Sequence, residues 1–532
     1  MKELRLPDGD TWQAWLKKIW TRETKLATII AISCAFLTHL YMLTNELPNH
    51  DDIVSMFSRN DTLYLGRWFI FVPSSIGSRF HTPWVSGTLA LLALCLSAVL
   101  IVRALKIKQT IWILLTCVLC VTNPVISNTL AYMFTADAYF IGLLLAVGGM
   151  AVTDRYRFGW IAGGIFLGLS LGIYQTYVFT AVALFGIRYL SLLFSKETDD
   201  KALLKKLAQY ALALVLGIVV YMLGLKVMLA YRGVTLSSYK GAADVLTGNI
   251  SSAFITNALK QIYQYFLLPQ LWRATGVFHN QFALFTFGLS LVLNLGMTIY
   301  LAVKLPQKSA LRYILIAVVT ILTPLLVNGA YLINAKSVHV CMQYALVTPL
   351  IETIVLLECI RQTEMNTGKQ LRKQGRLALS YLVAIAFLLL GLNWFGYSNH
   401  AYAVMQLQFD SHYALANRMV DRIEQTEGFT ADTPVYFSGV SASGNYQGVR
   451  DDEIAYFANT VAFGYGKDYA YFLNDEYTKK FLANYLGVYY PNGDSTSLEE
   501  AKYNSEIMQM PCFPEKDSVK QINGIIVVKL GN

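Results

Sequence analysis

The amino-acid sequence predicts an all-α protein that crosses a membrane many times and ends in a small α/β domain. Hydrophobic residues make up 55% of the 532 residues and charged residues only 14%, with a mean hydropathy of +0.43. A soluble domain usually carries roughly 25% charged residues. Apolar runs long enough to cross a bilayer also recur along the chain. This composition excludes both a soluble globular protein and a disordered one.

Apolar runs of about 20 residues predict the membrane spans. A polar patch from Thr122 to Asp137 separates two short runs. One long run is divided at Tyr174-Gln175-Thr176-Tyr177 into two helices that cross the membrane in opposite directions. About eleven spans are therefore expected. They are 26–43, 84–102, 110–123, 137–153, a pair within 158–194, 207–229, 281–303, 311–328, 343–360 and 377–395.

The distribution of Lys and Arg predicts the orientation. With a cytoplasmic N-terminus, the inside segments, counted with Arg188 and Arg312 at their edges, hold 24 of the 43 Lys and Arg residues, and the outside loops hold nine. Cytoplasmic loops of membrane proteins carry such an excess of positive charge. Residues 1–25 are expected to form a cytoplasmic interfacial segment, since they are rich in Trp and lack a signal-peptide cleavage site.

An odd number of spans places the C-terminus outside the cell. That tail has 17 acidic and 10 basic residues, helical spacing over 411–427, and two apolar stretches, 434–437 and 525–528, typical of buried strands. The expected divisions are the interfacial segment 1–25, a transmembrane domain 26–397 with large outer loops 44–83 and 230–280, and an extracytoplasmic α/β domain 398–532.

Charged side chains gather near the outer ends of the predicted spans. A charged side chain close to the apolar part of the bilayer costs free energy, so its presence there indicates a structural or functional role. Acids and bases at one depth suit a phosphate-bearing lipid head group and a hydroxyl that must lose its proton. The residues concerned are Asp51, Asp52, Arg67, Arg79, Asp137, Lys226, Arg232, Lys336 and His339.

Each of these residues also allows a structural interpretation. Asp51 or Asp52 could be a general base for an acceptor hydroxyl, or part of a solvated turn. Arg67 could grip a phosphate with two donors, or extend to the membrane interface. Lys226 could neutralise a leaving phosphate or reach outward to solvent. Asp137 could cap the helix that it begins.

The polar break between two apolar helices offers groups that suit a sugar. Gln175 supplies a donor and an acceptor, and Tyr174 and Tyr177 supply aromatic faces; an aromatic belt at the membrane interface is the alternative. The short outer loop with Lys336 and His339 could bind phosphate or be solvated.

Several function classes lack their sequence motifs. There is no P-loop, no dense His, Cys and carboxylate set with metal spacing, and no Gly-x-Ser-x-Gly elbow. Asp-x-Asp is missing from the inside loops, which argues against a cytoplasmic nucleotide-sugar donor. Basic residues lie in short loops rather than along one stripe, so no nucleic-acid partner is expected.

Several short motifs together resemble a known family. Asn49-His50-Asp51-Asp52 after an apolar span, then Gly66-Arg67-Trp68, then the break running from Leu171 to Tyr177, are similar to the GtrII-type bacterial glucosyltransferases. The apolar stretches at 434–437 and 525–528 are similar too.

This resemblance implies a GT-C-like glycosyltransferase of the bacterial plasma membrane. Such an enzyme passes a sugar, typically glucose, from a polyprenyl-phosphate carrier to a cell-surface polysaccharide outside the membrane. It implies that Asp51 or Asp52 is the base and that Arg67 binds the carrier phosphate. No cofactor is expected, and a divalent metal is optional. The alternative from another class is a lipid-linked sugar flippase or transporter, and a weaker one is an assembly protein that docks through its tail.

Overall fold

The computed structural model describes residues 19–58, 62–77, 80–237, 251–268, 277–278, 280–333, 338–365, 370–440, 471–472, 474–493 and 504–531. The predicted interfacial segment 1–25 lies mostly outside these residues, as do Arg79 and Lys336.

Helices dominate the described chain. They are α1 Arg22–Thr44, α2 His50–Ser55, α3 Phe71–Ser74, α4 Pro83–Ala104, α5 Thr110–Thr122, α6 Pro124–Leu130, α7 Ala136–Arg155, α8 Gly159–Ile173, α9 Tyr177–Leu193, α10 Asp200–Arg232, α11 Ser252–Leu267, α12 Gln281–Val303, α13 Ala310–Asn328, α14 Thr348–Met365, α15 Gln370–Glu424, α16 Asp475–Phe481 and α17 Ser505–Gln509.

Eight helical segments of the described residues are long and apolar enough to cross a membrane, and two shorter apolar helices, α8 and α9, accompany them. The long run divides where the sequence predicted, because α8 ends at Ile173 and α9 begins at Tyr177. α14 covers another predicted span and carries four charged residues. The bundle therefore has a helix at the position of every predicted span, and the protein is a polytopic membrane protein.

α15 is one continuous helix of 55 residues. At 1.5 Å per residue it is roughly 80 Å long, well beyond the ~30 Å of a bilayer core. The predicted domain boundary at Ser398 lies inside this helix, and the backbone has no break there. The helix predicted over 411–427 is the last part of the same element.

The residues after α15 include a three-stranded sheet. β1 (Val435–Ser438) pairs in parallel with β3 (Ile525–Lys529), and β3 pairs antiparallel with β2 (Val519–Ile522), so the strand order is β1-β3-β2. Both predicted strands are present. Asn523 and Gly524 form the tight turn between β2 and β3 with positive φ angles, as expected for an Asn-Gly hairpin.

Aromatic side chains join this segment to α15. The Phe409 ring of α15 lies 5.0 Å from the Tyr485 ring and 6.0 Å from the Phe481 ring, and Tyr471 is the third neighbour at 6.1 Å. Offset and edge-on aromatic pairs at these spacings are favourable. The carboxyl-terminal segment is therefore packed onto the end of the helix bundle.

Candidate active site

The two predicted catalytic aspartates lie on α2, in the loop that follows α1. The Asp51 N–H donates to Asn49 Oδ1 at 2.6 Å, and the Asn49 N–H donates to Asp52 Oδ2 at 2.8 Å. This reciprocal pair is a capping box. It fixes the start of α2, and with it the directions of both carboxylates.

Asp52 is fully enclosed. Its side chain is 0% exposed; Oδ1 accepts from the Phe134 N–H at 2.9 Å and lies 3.0 Å from His81 Nδ1. The other ring nitrogen of His81, Nε2, lies 2.8 Å from Glu46 Oε1. Asp52 thus ties α2 to the residues just before α4 and to the loop between α6 and α7.

His81 is held between two carboxylates. Burial alone would lower its pKa, but the Asp52 and Glu46 carboxylates outweigh burial and raise the pKa of His81 to about 10. The imidazole is therefore protonated at neutral pH, and the buried Asp52 carboxylate has a compensating charge.

Asp51 meets different surroundings. Its side chain is 41% exposed, and the nearest ion pair, to His50 Nε2, is long at 3.5 Å. Partial burial raises the pKa of Asp51; His50 and Arg67 oppose that rise, and the Asp52 carboxylate adds to it. A carboxylate that is accessible and more basic than usual suits proton removal from a substrate.

Arg67 follows a left-handed glycine, Gly66 at φ +80°, which ends the preceding turn. Its Nη1 donates to Tyr139 Oη at 2.8 Å, and its guanidinium lies 4.9 Å from the centre of the Tyr174 ring. Nε of Arg67 is buried and has no hydrogen-bond partner within the described residues. The aromatic rings thus hold the guanidinium and leave donor capacity for an anion.

The first-loop motif and the helix break meet in space. Gln175 Nε2 donates to the Leu65 carbonyl at 3.0 Å and to Tyr221 Oη at 3.3 Å. The Phe69 N–H donates to the Gly172 carbonyl at 2.8 Å. Two stretches about 100 residues apart therefore build one site, and the Asp51 and Arg67 charges act on each other across it.

The remaining predicted residues lie in varied places. Asp137 is buried beside Gly77 and accepts from the Ala138 N–H at 2.7 Å, near the N-terminus of α7. Tyr177 is buried beside Tyr174, with ring centres 5.3 Å apart. Lys226 and Arg232 are exposed on α10, and His339 is half-buried before a short 3-10 turn. Tyr174 lies next to Arg67, Gln175 bonds to the loop of Arg67 at Leu65, and Tyr177 lies beside Tyr174.

Sequence reasoning missed Glu46, His81, Tyr139 and Cys341. The Tyr174 hydroxyl lies 3.4 Å from Cys341 Sγ, and Tyr139 stacks on Tyr174 at 4.6 Å. Glu46 and His81 are polar and share a loop with the aspartates, so position was a usable signal for them. Tyr139 lies in an apolar helix and Cys341 in a short 3-10 turn, and no sequence pattern indicated that either belongs to the site.

No group of three or more His, Cys, Asp or Glu side chains in the described part of the chain is arranged to hold a metal ion. The Arg67 guanidinium, which the Tyr139 hydroxyl and the Tyr174 ring hold in place, suits an anionic group.

The fold defines the class of the protein: it is a multi-pass membrane protein in which the loop after α1 packs on the α8–α9 break to form the candidate site. Residues 40–350, more than half of the chain, match the family model described as Glucosyl transferase GtrII, and the protein belongs to this family. Neither a curated protein nor a solved structure matched the chain. Family membership supports glucosyl transfer to surface glycans. Every candidate site residue described above lies within residues 40–350.

Proposed function

We propose that the protein transfers glucose from a polyprenyl-phosphate carrier to a cell-surface polysaccharide at the outer face of the bacterial plasma membrane. All eleven apolar helices cross the membrane, the N-terminus is cytoplasmic, and the carboxyl-terminal segment is outside. The observation that carries the proposal is that the loop after α1 holds an accessible carboxylate, Asp51, within electrostatic reach of Arg67, a half-buried guanidinium whose Nε has no hydrogen-bond partner among the described residues.

In a single displacement reaction, Asp51 acts on the attacking hydroxyl and Arg67 acts on the leaving phosphate. Asp51 removes the proton from the acceptor hydroxyl, whose oxygen forms the new bond to the anomeric carbon. The bond from that carbon to the carrier phosphate breaks on the opposite face, which inverts the configuration. Polyprenyl phosphate leaves with the electron pair, and Arg67 stabilises its growing charge through fixed donors.

The test exchanges each aspartate for asparagine in the full-length protein in vesicles. The assay supplies labelled polyprenyl-phosphate glucose and cell-envelope polysaccharide, and measures label in the polysaccharide. General-base catalysis contributes roughly 10²–10⁴-fold, so Asp51→Asn should lower kcat by about that factor with little change in the amount of folded protein.

Asp52→Asn should mainly reduce folded protein, because it removes one of the two carboxylates that balance the buried His81 charge. The exposed Asp432→Asn is the matched control and should behave as wild type. Wild-type kcat in Asp51→Asn would remove Asp51 as the base. No label transfer by the wild-type protein would argue against the donor or the acceptor class.

A further inference from the structure

The carboxyl-terminal segment contacts the loop that carries the aspartates. The Tyr471 hydroxyl donates to the Pro48 carbonyl at 2.9 Å, and Asn484 Nδ2 donates to the Ile53 carbonyl at 2.7 Å. These bonds join residues more than 400 positions apart in the chain. They lie on either side of Asp51, so this segment holds α2 from both ends.

A third contact enters the charge network. The Tyr485 hydroxyl donates to Glu46 Oε1 at 3.1 Å, the oxygen that also lies 2.8 Å from His81 Nε2. His81 contacts Asp52, and Asp52 accepts a hydrogen bond from the Asn49 N–H. The Asn49 side chain in turn accepts from the Asp51 N–H. An unbroken path of hydrogen bonds and ion pairs therefore runs from Tyr485 to the backbone of Asp51.

We propose that the carboxyl-terminal segment is part of the catalytic machinery, with Tyr485 and Asn484 as positioning residues that hold α2 so that Asp51 faces its substrate. This inference rests on the proposed function of Asp51. It assigns a role to residues that lie beyond the 40–350 range matched by the family model. Tyr485 and Asn484 act through Glu46 and Ile53, and neither has to touch the reacting atoms.

Tyr485→Phe removes only the hydroxyl and keeps the ring that packs on Phe409. Tyr489→Phe is the matched control, because Tyr489 is 78% exposed. A displacement on the order of 1 Å can cost up to about 10²-fold in rate. In the vesicle assay, normalised to folded protein, Tyr485→Phe should lower kcat about tenfold and leave the donor KM within about twofold of wild type.

Two further measurements separate positioning from simple loss of stability. The acid limb of the pH–kcat profile should move to lower pH in Tyr485→Phe, because loosening α2 exposes Asp51 and removes the burial that raises its pKa. Combining Tyr485→Phe with Glu46→Ala should cost little more than Glu46→Ala alone, because Glu46→Ala already removes the acceptor of the Tyr485 hydroxyl. Additive losses would contradict the path.

Amide hydrogen exchange over 46–55 in the full-length protein gives a readout that needs no substrate. Tyr485→Phe should speed exchange there, and Tyr489→Phe should not. If Tyr485→Phe does not accumulate, Asn484→Ala takes its place with the same expectations for kcat, for the pH profile and for amide exchange. Wild-type kcat and wild-type exchange in the variant would overturn the inference. An active Asp51→Asn would overturn the proposed base instead, while the exchange result would still decide whether this segment holds α2.

Discussion

Asp51 and Asp52 are neighbours in sequence, yet their carboxylates lie in different surroundings. Asp52 is 0% exposed and bound by His81, by Phe134 and by its own helix cap, whereas Asp51 is 41% exposed. Successive residues of a helix point in directions about 100° apart, so one turn can send one carboxylate into the protein and the next towards a substrate.

The charge on His81 predicts a pH dependence of stability. Its folded pKa of about 10 is raised above the ordinary 6.5. The stabilisation from this group is therefore fully present below pH 6.5 and is lost as pH rises through about 10. Thermal unfolding of wild type and His81→Gln in detergent should differ most near pH 6, and the difference should shrink steadily towards pH 10. A difference that grows with pH would contradict a charged His81.

Trp68 shows how two helices place a loop. Its indole lies against Gly172 of α8 and Gly224 of α10, where a built Cβ would come within 2.8 Å and 2.3 Å of the ring. Only glycine leaves room for the ring at both positions. Because Trp68 is next to Arg67 in the chain, the packing of the Trp68 ring between these two glycines also positions the Arg67 guanidinium.

Gly224→Ala should therefore displace Trp68 and Arg67 together. Overpacking of this kind costs typically about 1–3 kcal/mol, so the unfolding temperature should fall and the donor KM should rise. Gly296→Ala in α12 is the matched control, since nothing lies within 4 Å of its built Cβ. There the better helix propensity of Ala should leave the unfolding temperature unchanged or raise it. Equal unfolding temperatures and equal donor KM values for the two variants would contradict this role of Trp68 packing.

At the scale of the whole molecule, α15 joins the bundle to the segment that contacts α2. Phe409 lies about four turns before Glu424, the last residue of α15, and packs on Tyr471, Phe481 and Tyr485. The site is thus built from the loop after α1, the α8–α9 break and the chain beyond α15. Its parts come from most of the length of the protein.

The proposed topology predicts which side of the membrane reagents reach. Tyr489→Cys should react with a membrane-impermeant maleimide in intact cells, and Lys205→Cys only after permeabilisation, because both positions are exposed but lie on opposite proposed sides. The native protein, with its seven cysteines, supplies the background. The reverse labelling would put Asp51 on the cytoplasmic side and remove the proposed access to a surface polysaccharide.

Local patterns were enough to predict the helical elements. Apolar run length predicted the positions of the spans, and the polar Tyr174-Gln175-Thr176-Tyr177 predicted the division between α8 and α9. An Asn-Gly pair between apolar residues accounts for the β2–β3 hairpin. The continuity of α15 through Ser398 was not predicted, because a change from apolar to polar composition marks the membrane surface and does not by itself end a helix.

The sequence by itself determined that this chain lies in a membrane, and it marked Asp51, Asp52 and Arg67 as the residues to follow, since composition, charge and motif are local properties. Only the tertiary structure decided that Asp52 is buried against His81, that Tyr139 and Tyr174 hold Arg67, and that Tyr485 reaches Glu46. These relations depend on contacts between residues tens to hundreds of positions apart. Burial and partner, which set the role of a charged side chain, exist only once those distant segments meet.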